Sequence, residues 1–125
     1  MVFAAQIFTF FVAVVCVFQL ALALGAPWGN LAMGGRFPGR LPPRIRPLCL
    51  VQIVLLMGMA TIVDARAGLI LPSWHKSVAT LAWGVVAFSA FATLANFATP
   101  SPGERRLWGP VSLVLLVTSF LVARS

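Results

Sequence analysis

The chain has 125 residues, of which 61% are hydrophobic and only 9% charged, with a mean hydropathy of +1.02. Soluble chains are about a quarter charged, so there is too little polar side chain here to coat a globule in water, and lipid has to be the solvent for most of the surface. The net charge of +7 does not point to nucleic acid. Binders of nucleic acid spread their bases over a solvated face, whereas four of the nine bases here, Arg36, Arg40, Arg44 and Arg46, gather between two apolar segments, as in the cytoplasmic loop of a membrane protein.

The first apolar run extends from Val2 to Ala26. About 20 helical residues cross the hydrocarbon core, so this run suffices, and we expect a first span over about 3–25. Ala21-Leu22-Ala23 resembles a cleavage site for small residues, but no Lys or Arg precedes the run to form the positive region of a signal peptide, and a retained helix is expected. An interfacial loop over 26–46 follows. Pro47 suits a first helical turn and opens a second span over about 47–67, with Gly68 and Pro72 as stop signals. A third span is expected over about 75–98, with Ser73 as a plausible N-cap and Pro100 and Pro102 beyond its end. The fourth is expected over about 108–123, with Pro110 in its first turn. The expected fold is therefore all-α: one membrane domain, a four-helix bundle with a long interfacial loop between helices 1 and 2.

Orientation follows from the loop bases. Arg36, Arg40, Arg44, Arg46, Arg105 and Arg106 share one side, against Arg66, Lys76 and Arg124 on the other. Six against three places both termini away from the cytoplasm.

Apolar packing cannot drive helix association in lipid, so small and polar residues mark interfaces. The first helix carries Gln6, Thr9, Ala13, Cys16 and Gln19 at steps of three and four. The third carries Ala82, Ser89, Ala92, Thr93 and Asn96, with a small-xxx-small pair at Thr80 and Gly84 beside them; the second offers Gln52. A hydrophilic path is one reading of these stripes. Interhelical contact by Gln6, Thr9, Gln19, Gln52 and Asn96 is the one preferred, because the stripes hold amides and hydroxyls but no carboxylate.

Residues 25–47, GAPWGNLAMGGRFPGRLPPRIRP, contain five of the ten glycines and five of the nine prolines. Helix connections usually take about two to eight residues, so this one is long. Its Trp28, Leu31, Met33, Phe37 and Leu41 argue against disorder and for a segment in the headgroup layer. Gly34-Gly35-Arg36 could fold into a backbone nest for an anion. Contact of Trp28, Gly34, Gly35, Arg36, Arg40, Arg44 and Arg46 with anionic lipid is expected, bases near such a surface contributing about 1 kcal/mol each.

Asp64 and Glu104 are the only acids. Asp64 is expected to pair with Arg66, His75 or Lys76 near the end of the second helix, and Glu104, ahead of Arg105 and Arg106, with a base of the long loop. A lone His75, two separated cysteines and two distant carboxylates suggest no metal site, haem or other cofactor and no nucleophilic triad, so no catalytic residue is assigned. The protein is expected to act without chemistry, as an accessory or self-associating subunit beside a membrane-protein partner or its own copy. A small transporter or anionic-lipid-binding protein using the 36–46 loop is the alternative.

The pieces GAPWG (Gly25 to Gly29), GG (Gly34, Gly35), LP (Leu41, Pro42), RAG (Arg66 to Gly68), Asn96, Ser101, Glu104-Arg105 and Pro110-Val111 together resemble an uncharacterised family of small bacterial membrane proteins. Pro100 departs from that pattern, in which a serine-like residue is expected. The resemblance implies a four-helix fold and the bacterial cytoplasmic membrane, and carries no activity.

Overall fold

A computed structural model describes residues 2–125, and among them are four long helices and no strand: α1 (Val2–Ala23), α2 (Arg46–Arg66), α3 (Ala79–Ala98) and α4 (Pro102–Ala123). Each is long and apolar enough to span a membrane. The protein is an all-α, four-helix integral membrane bundle.

Glycines end the first two helices. Gly25 (φ +100°) and Gly68 (φ +80°) adopt the left-handed conformation, and each closes a double turn. Ala26 N donates to Ala21 O and Gly25 N to Leu22 O; Leu69 N donates to Asp64 O and Gly68 N to Ala65 O. This paired arrangement satisfies carbonyls that a helix end otherwise leaves bare in lipid.

The later boundaries differ from expectation. α3 starts at Ala79, not near residue 75, because Pro72–Trp74 makes one separate 3-10 turn after Leu71, itself left-handed at φ +43°. Arg66 and His75 hold that turn: Nη1 of Arg66 donates to His75 O at 2.9 Å, and His75 Nδ1 faces the Arg66 carbonyl. α4 starts six residues before Trp108, at Pro102. Ser101 is its N-cap, accepting from Glu104 N at 3.2 Å, and Pro102 takes the first turn, where no N–H is needed. Pro110 therefore lies inside the helix, where a proline removes one backbone bond. Polar side chains gather there: the Ser112 hydroxyl reaches Trp108 O and Gly109 O at 2.7 and 2.9 Å, and Asn96 Nδ2 donates to Trp108 O at 3.3 Å.

Around the bundle, α1 packs on α2 and α4, and α3 packs mainly on α4, while α2 and α3 meet far less. The interior has two apolar clusters. The terminus-side cluster is built from Ala4, Ala5, Phe8, Val12, Leu56, Met59, Ala60, Val63, Val85, Leu115 and Val122. The loop-side cluster joins Phe18, Leu22, Cys49 and Trp108 to Ala32 and Leu41 of the α1–α2 connection.

Candidate functional site

The α1–α2 connection is a folded cap on the loop-side end of the bundle. Its backbone closes on itself where Gly29 N donates to Gly39 O at 2.8 Å. A Cβ on Gly29 would stand 1.8 Å from the Phe37 carbonyl oxygen, so no other residue fits. Apolar side chains turn inward: Leu41 is 1% exposed, and Leu31, Phe37 and Ile45 pack on the same cluster. Phe18 of α1 lies between two indoles, parallel to Trp28 at 6.2 Å and tilted to Trp108 at 4.7 Å.

Four polar contacts fasten the cap to the helices. The Trp108 indole N–H donates to Leu31 O at 3.0 Å, and the Ser101 hydroxyl donates to Asn30 O. Arg46 Nε donates to Leu41 O at 3.0 Å. Gly34 N donates to Glu104 Oε2 at 2.9 Å, with Gly34 and Gly35 both at positive φ, +69° and +75°. The anion expected at the Gly34-Gly35 turn is thus met within the chain, by a carboxylate at the start of α4, where the helix end also favours negative charge.

The partners of the two acids differ from those expected. Glu104 does tie the two loops together, but through the Gly34 backbone and not a base. Asp64 lies with its carboxylate oxygens 2.9 and 3.0 Å from the Thr9 hydroxyl of α1. Residues two apart on a helix point away from one another: Arg66 reaches His75 and, through Nη2, the Ser125 carbonyl at 3.0 Å. Arg105 donates to Thr99 O at 2.9 Å.

Under the cap the bundle is hollow. A cavity of about 330 Å³ lies between Leu31, Ala32 and Met33 of the cap and Leu56, Met59 and Leu115 of the terminus-side cluster. Small-molecule sites run from about 300 to 1,000 Å³, so it is large enough for a ligand. Its polar lining is Gln19, Gln52, Ser89, Asn96, Glu104 and Ser112, beside the Trp108 ring. Of its exposed lining residues, Gln52, Phe88, Phe91 and Ala95 belong to α2 and α3 and Met33 to the cap, so the mouth opens sideways along the loosely packed α2–α3 seam, with Met33 at its cap end.

Of the polar residues expected between helices, Thr9 and Asn96 make such bonds, Gln19 and Gln52 line the cavity, and Gln6 is exposed on α1. In the cap, Arg36, Arg40 and Arg44 are exposed, whereas Arg46 is half-buried. Sequence reasoning missed the cavity and the Ser101 cap. The cap had a signal, since Ser followed three residues later by Glu is a helix-start pattern. No family model, curated protein or solved structure matches the chain.

Proposed function

We propose that the protein is a non-enzymatic accessory subunit of the bacterial cytoplasmic membrane that associates through the outer face of α3 with a membrane-spanning partner or a second copy. The observation that carries this reading is the face formed by Thr80, Gly84, Ala87 and Phe91. These residues follow at steps of four, three and four and are all exposed, and a Cβ at Gly84 would meet nothing within 4 Å. A notch of small residues lets another helix approach closely enough for packing and weak hydrogen bonds to hold it in lipid. Within the bundle only 22% of the α3 membrane window is buried, against 44% for α4, which leaves α3 the helix with most side chain to offer. The non-enzymatic part rests on the ionisable groups, for Asp64, Glu104 and His75 are all engaged in structural hydrogen bonds.

Native mass spectrometry in a mild detergent tests the proposal. A second polypeptide or a second copy at fixed stoichiometry is expected, and Gly84→Leu is expected to abolish it while the protein stays folded. A monomer that is unchanged by Gly84→Leu would overturn it.

The cap favours a second, compatible reading. Arg36, Arg40 and Arg44 project from a rigid scaffold and suit anionic headgroups on the cytoplasmic side, with both termini opposite. Changing all three to Gln is expected to strip retained anionic lipid and to leave stability within about 0.5 kcal/mol. An N-terminal tag reached only from the cytoplasm would refute the orientation.

A further inference from the structure

We infer that the cavity under the cap is a binding site for a neutral, hydrogen-bonding amphiphile that enters sideways from the bilayer between α2 and α3. The inference does not rest on the association proposed for α3's outer face, although the two share Phe91, which ends that face and borders the mouth.

The decisive group is Ser89. It lines the cavity and is 2% exposed, and its hydroxyl is buried without a hydrogen-bond partner. Most buried hydroxyls find a partner, and one left bare costs about 1–3 kcal/mol. Other hydroxyls near the hollow are spent within the protein: Ser112 on Trp108 O and Gly109 O, and Thr93 on the Ser89 carbonyl. The Ser89 hydroxyl is thus unspent within the protein, on a residue of the cavity wall. A hydroxyl both donates and accepts, so it suits an alcohol, amide, ester or ketone. The amides of Gln19 and Gln52 on the same lining offer the same chemistry.

Charge and depth narrow the class. Lys, Arg and His are absent from the lining, so nothing there draws an anion. Glu104 does not demand a cation, because Gly34 N and the start of α4 already stabilise its carboxylate. Ser89 stands ten residues into the 20-residue helix α3, about 15 Å along it, near the middle of a hydrocarbon core about 30 Å thick. A phospholipid headgroup does not reach that depth, whereas a neutral molecule dissolved among the acyl chains does. The remaining wall (Leu56, Met59, Phe88, Phe91 and Leu115) takes an apolar tail.

Trp108 reports occupancy. With Trp28, Trp74 and Trp83 each changed to Phe, it is the remaining indole, and a terminally brominated dodecanol serves as a quenching probe in phosphatidylcholine nanodiscs. Quenching that saturates is expected. Ser89→Ala should weaken it about tenfold, the loss of one good hydrogen bond, and Ser89→Leu, which fills the hollow, should abolish saturation. Ala92→Leu narrows the same space and decides the matter if Ser89→Leu does not fold. Quenching that rises linearly and equally in all variants would show bulk partitioning only and overturn the inference. Equally tight saturation by the matching brominated carboxylate would overturn the assignment to neutral guests.

Discussion

The two halves of the bundle solve the same packing problem differently. The terminus-side half is closed by small and medium side chains in direct contact, with Ala5, Phe8 and Val122 fully buried, and its carboxylate is matched to the Thr9 hydroxyl. The loop-side half is closed by a cap of irregular backbone, and beneath that cap it stays open enough to leave a hydroxyl unpartnered. The terminus-side cluster packs mainly through alanine, valine and leucine, whereas Phe18, Gln19, Gln52 and Trp108 line the hollow. One half is filled, and the other keeps room.

The two free cysteines report on the two halves separately, since Cys49 is buried in the loop-side cluster and Cys16 packs against the terminus-side one. The largest effect is expected from Gly29→Ala. Its new Cβ would sit 1.8 Å from a backbone oxygen, an overlap that costs about 3 kcal/mol or more. Maleimide labelling of Cys49 should accelerate sharply while Cys16 is unaffected, and equal acceleration at both would show that the halves do not fold independently. Phe8→Ala should act in the opposite sense. Because lipid solvates a phenyl ring as readily as the core does, the loss is one of packing and amounts to about 2 kcal/mol, read as faster labelling at Cys16. Smallest is Thr9→Val, which removes the Asp64 partner. Bonds between helices in lipid average about 0.6 kcal/mol and reach about 1.7, so a drop of about 0.5–1.5 kcal/mol in thermal stability is expected, recovered in part by adding Asp64→Leu.

The spans were legible in the sequence because lipid demands long uninterrupted apolar helices, and the glycine at the end of α2 was legible because only a left-handed residue closes that turn. The start of α4 was misplaced for a local reason. Pro110 looks like a helix opening, and only Ser101 with Glu104 reveals that the helix is already under way. The partners of Asp64 and Glu104 were out of reach for another reason: Thr9 is 55 residues from Asp64, and Gly34 is 70 from Glu104. Charge complementarity suggests nearby bases, whereas the fold supplies a hydroxyl and a backbone N–H. A cavity leaves no trace in a sequence at all, since it is defined by side chains that fail to meet.

The bond from Gly34 to Glu104 also has a consequence in time. The cap lies early in the chain, and the carboxylate that fixes it arrives with the last helix. During synthesis the first two helices can insert and pair and their connection can close on itself through Gly29 and Gly39, but its bonds to Ser101, Glu104 and Trp108 wait for α4. A chain halted before Pro102 should therefore leave Cys49 open to maleimide, and its protection would contradict this order. Fastening of the cap is therefore a late step, and a copy whose α4 has not docked differs from one whose α4 has at the loop-side end of the bundle.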